Sequence, residues 1–370
     1  MIIAIDAREL IPGRMTGIRR HLETLLVNLG RKEPDWEVKL LVNQHCEKPG
    51  FPGKVGYVEH PESITWFWDQ VVLKRLVRHV KADVLYSPYY KIPLSAGCKT
   101  VCTIHDVMEL ALDEYRVERG RLHTAAYTAM VRKCLKQADA VTCDSEFTRK
   151  ELVRLFGDPG EKLKTVLLDY SPSPLVSKSP GLVLAKYGIT VPFILYVGNF
   201  KSHKNLPLLI EAHQSLCGTT DAFPTLVLAG GGGGSDPAVR ERARLSGGKV
   251  IVAPRVSEEE LSAIYRKASL FVMPSLYEGF GYPVIEAFSH GVPVCCSTAA
   301  SLPEVAGDAA CSFNPLDAQS CAGAIQKVLS DESYRAELVG RGKARAQAFS
   351  AGNFCEAFIG IVRGLTKASR

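Results

Sequence analysis

The sequence predicts an α/β fold of two doubly wound, parallel-sheet domains, and three observations predict it. Short apolar runs of strand length alternate with helical patterns along the chain, the arrangement that covers a parallel sheet on both faces. The 370 residues exceed the size at which one core keeps growing, so two domains of ordinary size are expected. A stretch rich in Pro and Ser, "DYSPSPLVSKSPG" at 169–181, interrupts the alternation near the middle and reads as the linker.

Taken in order, the first half supplies the strands "IIAI", "VKLLV", "DVLYS", "TVCTI" and "AVTC", and the second half supplies "FILYV", "TLVLA", "VIVA", "LFVMP" and "VPVCC". Each is a short, mostly apolar run of strand length. Helix starts agree with this parse. Ser257 followed by Glu260 is a capping box opening "SEEELSAIYRKA", Pro283 stands where a first-turn proline belongs, and Gly291 stands where the same helix stops. The domains are expected over 1–172 and 173–350. A last apolar-periodic helix, "NFCEAFIGIVRGL", lies within 351–370 and is expected to pack back on the first domain.

Composition narrows the class of partner. With 46% hydrophobic and 23% charged residues, the chain is an ordinary globular protein. It has no apolar run near the roughly 18 to 20 residues a membrane span needs. "MIIAIDAREL" lacks a basic leader region and reads as a first strand, so a signal peptide is not expected. The net charge of +6 is spread without the Lys/Arg blocks of nucleic-acid arms, so no nucleic-acid partner is expected. The positive excess suits anionic small molecules or an anionic membrane surface. Eleven cysteines show no C-x-x-C pair. Several, such as Cys102, Cys143, Cys295 and Cys296, fall in strand-like runs, which reads as reduced, buried thiols of a cytoplasmic protein.

Ligands of open parallel sheets bind beyond the C-terminal ends of strands, and four turns there carry candidate chemistry. "SLYEGFGYPVIEA" at 275–287 sets Glu278 and Glu286 on either side of Gly279, Phe280 and Gly281, with a helix beginning near Tyr282 and Pro283. Free N–H groups and the positive dipole end make such a start a phosphate site, and the two carboxylates suit sugar hydroxyls. The plainer reading is a dipole-complementing Glu286 and a solvated Glu278. "NFKSHKN" groups Lys201, His203 and Lys204 just before a helix, where cations oppose the dipole and a bound polyphosphate would explain them; a surface lysine is the plainer reading. His105 and Asp106 follow "TVCTI" at a strand end. "MTGIRRH" brings Gly17 near a ligand with Arg19 and Arg20 supplying charge, or is an ordinary basic helix start.

Absent motifs remove other classes. The sequence has no G-x-x-x-x-G-K-[ST], G-x-S-x-G, H-E-x-x-H or D-x-D, which takes away the sequence support for phosphate-loop NTPases, serine hydrolases, zinc proteases and D-x-D metal-dependent transferases. The run Gly230–Gly234 invites a dinucleotide-binding reading, but Ser235 replaces the last glycine and Pro237 disturbs the helix start.

These residues resemble the retaining glycosyltransferases of family 4, whose GT-B architecture sets two Rossmann-like domains across a central cleft. The resemblance covers nearly the whole chain: "TGIRRH" is similar to the N-terminal glycine loop, "TIHDVMEL" to the His-Asp segment, "YVGNFKSHKNL" to the donor-phosphate loop, "EGFGYPVIEA" to the E-x7-E motif and "SLPEVAGDAA" to the segment after it. The resemblance implies an acceptor-side first domain and a nucleotide-sugar-binding second domain. It implies that Glu278 and the backbone N–H groups of Phe280 and Gly281 hold the donor sugar, and that Glu286 holds the ribose, with Tyr282 and Pro283 in the same donor segment. Lys204 would neutralise the departing diphosphate, His105 would contact the sugar, and Gly17 would lie near the phosphates or the acceptor.

The chain departs from the family pattern in two places. Asn199 stands where many relatives carry arginine, leaving Lys201 or Arg255 to supply charge, and Arg19 occupies the second glycine's place in the glycine loop. The resemblance further implies a metal-independent transfer with no cofactor, in which the leaving phosphate helps deprotonate the acceptor. The donor would be a nucleotide diphosphate sugar, GDP-mannose first, and the acceptor a glycan or lipid-linked glycan of surface polysaccharide assembly. Peripheral contact with the inner face of the cytoplasmic membrane is also expected. A nucleotide-sugar epimerase of the same fold and a non-catalytic sugar-nucleotide-binding subunit stay open, and a dehydrogenase lacks its glycine fingerprint.

Overall fold

The computed structural model describes residues 1–62, 64–171, 179–218, 223–230, 237–254, 256–349 and 352–367. The chain divides into two compact units, Met1–Tyr170 with Ser350–Arg370, and Ser171–Phe349. Each is a parallel sheet with helices between its strands, the GT-B building block.

The first unit holds β1 (Ile2–Asp6), β2 (Glu37–Asn43), β3 (Lys54–His60), β4 (Val84–Ser87), β5 (Lys99–Ile104), β6 (Ala140–Cys143) and β7 (Leu163–Thr165) in the order β3-β2-β1-β4-β5-β6-β7. Alternation along the strands divides the residues between two faces. Leu85, Cys102, Ile104, Val141 and Cys143 join buried clusters with Trp68, Leu76, Val131 and Leu152. Tyr86, Thr103 and Thr142, one register position away, belong to the opposite face. There the Tyr86 ring meets Phe358 of the helix Asn353–Lys367 at 4.9 Å between centroids.

That last helix is amphipathic and returns to the first unit. Phe354 stacks edge-on against His21 of the helix Gly17–Lys32, with centroids 4.4 Å apart. Burying each phenylalanine is worth roughly 1.5–3 kcal/mol. The start of the helix is fixed by Asp169, whose carboxylate accepts from Phe354 N at 2.9 Å and Cys355 N at 3.2 Å. The sequence reading placed Asp169 in the linker. The structure corrects this: Asp169 and Tyr170 are buried, because the carboxylate satisfies N–H groups that the helix leaves without partners. At the other end of the expected linker, Pro180–Tyr187 is helical; 172–178 lie outside the described residues.

The second unit holds β8 (Phe193–Gly198), β9 (Thr225–Gly230), β10 (Val250–Ala253), β11 (Leu270–Met273), β12 (Val294–Ser297) and β13 (Ala310–Phe313) in the order β10-β9-β8-β11-β12-β13. The order reverses direction between β8 and β11, the place where such sheets open a crevice for ligands. β3, β7 and β13 were not anticipated from the sequence. The capping box of Ser257 and Glu260 is formed. Pro283 lies in the first turn of the helix Tyr282–Ser289, and Gly291 follows its end at φ +71°.

Candidate functional site

In the second unit, three loops at the C-terminal ends of β8, β11 and β12 are tied to one another. The β8 loop begins where Gly198 pairs with Gly230 of β9. A Cβ on Gly230 would come within 2.2 Å of Gly198 O, so the first glycine of the Gly230–Gly234 run serves strand packing. The other four lie outside the described residues. The Tyr196 hydroxyl donates to Asn199 O at 2.7 Å and fixes the loop entry. Asn199 is exposed, and its side-chain oxygen accepts from Lys201 N at 3.3 Å, closing an Asx turn.

The loop then forms a short turn, Ser202–Lys204, before the helix Leu206–Cys217. Lys201 stays exposed, whereas His203 and Lys204 are buried. Burial, with Lys204 and Lys201 adding to it, pushes the His203 pKa down to about 3. The three-cation cluster read from the sequence is thus corrected to two, because His203 is neutral. Its carbonyl accepts from Leu276 N at 2.8 Å, and Asn205 Nδ2 donates to Pro274 O at 3.2 Å. These bonds dock the β8 loop on the β11 loop, and Lys204 Nζ reaches Glu278 Oε1 at 2.6 Å.

The β11 loop is shaped by Gly281, which has φ +113° and whose Cβ would meet Leu302 Cδ2 at 2.9 Å. Only glycine fits both constraints. Phe280 and Tyr282 turn inward: their rings pack at 5.4 Å, and Phe280 meets Phe349 at 5.7 Å. What this segment can offer a ligand is therefore mainly backbone. No side chain caps the helix that starts at Tyr282; Pro283 carries no N–H and Val284 N already donates to Gly281 O at 3.0 Å, so what this start turns toward an anion is the positive end of its dipole. Ser301, ahead of the helix Leu302–Ala306, lies 2.9 Å from both Glu278 O and Phe280 O and shares its hydroxyl hydrogen between them. Sequence reasoning missed Ser301; the signal available was its place at the head of "SLPEV".

Glu286 lies in the body of the same helix and is 5% exposed. Its Oε2 accepts from the Tyr265 hydroxyl at 3.0 Å. Tyr265 stacks on His290 at 5.0 Å, and the His290 ring is held by Glu286 O at 2.8 Å and Ser262 Oγ at 2.9 Å. The carboxylate expected to meet a ribose is therefore pre-aimed by a tyrosine. Arg255, offered as a replacement for the missing arginine, lies outside the described residues.

In the first unit, Gly17 is the first residue of its helix, capped by Thr16, whose Oγ1 accepts from Arg19 N at 3.1 Å. Arg19 does not supply free charge as expected: it is 8% exposed, pairs with Glu23 at 2.8 Å and with Glu47, and donates to Ile11 O. The loop carbonyl and two carboxylates consume its donors, so the arginine staples the loop. His105, directly after β5, is held by Asp144 Oδ2 at Nδ1, 2.6 Å, and by Pro88 O at Nε2, 3.0 Å.

No group of three or more His, Cys, Asp or Glu side chains arranged to hold a metal occurs among the described residues, and none of their helices is long and apolar enough to cross a membrane.

The comparisons with known proteins agree with this geometry. Residues 15–167 match the family described as Glycosyltransferase Family 4, and 185–345 match Glycosyl transferases group 1. The O-antigen chain mannosyltransferase B of Escherichia coli is 32% identical over 297 residues, covering 79% of this chain and 74% of that protein. Sucrose-phosphate synthase from Thermosynechococcus elongatus superposes with a TM-score of 0.76 at 19% identity over 100% of both chains. Anabaena HepE, solved in complex with UDP and glucose, gives 0.67 at 16% identity over 99% of this chain and 98% of that one. The chain belongs to glycosyltransferase family 4 and is a glycosyltransferase of the GT-B fold.

Proposed function

We propose that the chain is a retaining, metal-independent hexosyltransferase that moves mannose from a nucleotide diphosphate sugar, GDP-mannose first, to a glycan or lipid-linked acceptor of surface polysaccharide assembly. The observation that carries the reading is the Lys204–Glu278 contact beside the uncapped start of the helix Tyr282–Ser289. Cation, carboxylate and the positive end of a helix dipole are the three things that a diphosphate bearing a sugar requires. Without donor, Lys204 and Glu278 neutralise each other. With donor, Lys204 turns to the diphosphate, Glu278 and the N–H groups of Phe280 and Gly281 to the sugar hydroxyls, and Glu286 to the ribose.

Catalysis in this reading is positioning and charge stabilisation. The leaving diphosphate, held by Lys204 and the helix start, accepts the acceptor's proton as the new glycosidic bond forms on the face it departs from. Lys201, Asn199 and Pro283 complete the donor loop, and His105 and Gly17 are assigned to the sugar and the acceptor. The mannosyl assignment is supported by the O-antigen mannosyltransferase relative and the nucleotide diphosphate by the UDP complex of HepE.

Peripheral contact at the inner face of the cytoplasmic membrane belongs to the same proposal. Its support is the +6 charge and a surface of the first unit where Val117 and Leu122 are 82% and 89% exposed. Beside them a depression of about 440 Å³ is lined by Arg116, Arg121 and Arg132.

The test is a thermal-shift screen against GDP-, UDP-, dTDP- and ADP-sugars, followed by product analysis with a mannan acceptor. A ligand at about a hundred times its dissociation constant stabilises by roughly 2.7 kcal/mol. The proposal expects the largest shift with GDP-mannose and an α-linked product. Conversion of the donor without an acceptor would instead identify an epimerase, and binding without turnover a non-catalytic subunit.

A further inference from the structure

Both ring nitrogens of His105 face oxygen. Pro88 O at 3.0 Å can only accept, so Nε2 carries a hydrogen. Asp144 Oδ2 at 2.6 Å from Nδ1 is the short, charge-assisted contact of a ring N–H with a carboxylate. One proton is therefore held within the pair, and the two groups titrate as a unit.

The surroundings act on that proton in both directions, since burial raises the pKa of Asp144 against the pull of the His105 ring. Asp144 directly follows β6, and the next residue, Ser145, caps the helix Glu146–Phe156 with Oγ accepting from Thr148 N at 3.1 Å. Asp144 Oδ1 is buried with no hydrogen-bond partner among the described residues. Thr148 Oγ1 donates to His105 O at 3.3 Å. Asp106, next in the chain, accepts from Met108 N at 2.9 Å and adds a second negative charge. From the helix Gly17–Lys32, His21 stands edge-on to His105 at 5.5 Å, and its Nε2 is 2.7 Å from the Tyr86 hydroxyl. That hydroxyl continues through Thr103 at 2.7 Å to Thr142 at 2.8 Å. Burial and the charge of His105 push the His21 pKa well below its ordinary value. Against the desolvation of its site, Asp144 raises that of His105. The two shifts run in opposite directions, favouring charge on His105 and a neutral ring at His21.

We propose that Asp144 is a positioning residue for transfer: through Nδ1 it keeps His105 doubly protonated, so that a positively charged ring of fixed orientation, instead of a neutral ring of either tautomer, follows β5. The inference rests on the reading of His105 as a transfer-site group. It goes beyond that reading in assigning the charge state and the residue that sets it.

Asp144→Asn tests it, because the amide can still meet the ring while removing the counter-charge. Nitrogen-edge NMR of the donor-free wild type at about pH 7.5 should show both His105 nitrogens protonated, and Asp144→Asn should show a neutral ring. In transfer assays the wild-type profile should stay flat through neutral pH, while Asp144→Asn approaches wild-type turnover at acid pH. Above its lowered pKa the variant should lose about tenfold per pH unit, as the protonated fraction does. A neutral His105 in the wild type at pH 7.5, or an Asp144→Asn profile parallel to wild type at any level, overturns the proposal. If the variant does not fold, the wild-type NMR result alone decides. Absence of any transfer activity would count against the transferase reading and leave the NMR result standing.

Discussion

Lys204 Nζ lies 2.6 Å from Glu278 Oε1, joining loops 74 residues apart in sequence, and both side chains are nearly buried, at 11% and 12% exposure. Such a pair is held together because either charge left alone would lack its solvent. Lys204→Ala should therefore do two things. Turnover should fall on the order of 10² to 10³, as when one stabilising donor of a transition state is removed. Stability should fall by about 1–3 kcal/mol, less than for a fully buried pair. Pairing the change with Glu278→Gln should recover stability but not turnover. A Lys204→Ala protein as active as wild type would remove Lys204 from the chemistry.

Transfer should survive excess EDTA. Lys204, with Lys201 nearby, and the helix start at Tyr282 stand where a cation-dependent enzyme would place its metal. Loss of activity with EDTA and recovery with magnesium would show that the leaving group is stabilised in another way.

Glu286→Ala should weaken binding of the nucleoside diphosphate by about 1.5–3 kcal/mol, the worth of a hydrogen bond to a charged group. Tyr265→Phe, which removes the hydroxyl that Glu286 Oε2 accepts from, should cost about 0.5–1.5 kcal/mol. Calorimetry on both variants decides: unchanged affinity in Glu286→Ala rules the carboxylate out as a ribose ligand.

What was legible in the sequence follows from where each element sits. The central strands announce themselves as apolar runs because both faces are covered. β3, β7 and β13 are sheet ends, where one flank needs no partner and the run can be short or polar, as in "KVGYVEH", "LKT" and "ACSF". Their pattern is correspondingly weak. At the site, Lys204, Glu278, Glu286 and His105 stood out because charge at a strand end calls for a reason. Their supports did not: Ser301, Tyr265 and Asp144 act through contacts made only on folding, and each looks ordinary in its own segment. The reverse error has the same origin, since His203 and Arg19 read as available charge until burial and partners are known.

Membrane contact, if Val117 and Leu122 enter the lipid interface, should respond to both apolar and basic changes. Val117→Asp with Leu122→Asp should abolish sedimentation with anionic vesicles. Arg121→Ala with Arg132→Ala should weaken it by about 2 kcal/mol, at about 1 kcal/mol per basic residue near the surface. Salt should weaken the wild type likewise. No sedimentation of wild type at low salt would end this part of the proposal.

The return of the helix Asn353–Lys367 to the first unit fixes an order of completion during synthesis. Residues 171–349 form one continuous unit and have all their partners once they leave the ribosome. The first unit, although made earlier, must wait: Asp169 lacks the N–H groups of Phe354 and Cys355 that it accepts from, and His21 and Tyr86 have no phenylalanine over them, until Phe354 and Phe358 emerge. Domains usually mature from the N-terminus onward. Here the earlier-made half closes last, so a chain that has emerged only as far as residue 352 carries a finished second unit and a first unit with its core still open to chaperones.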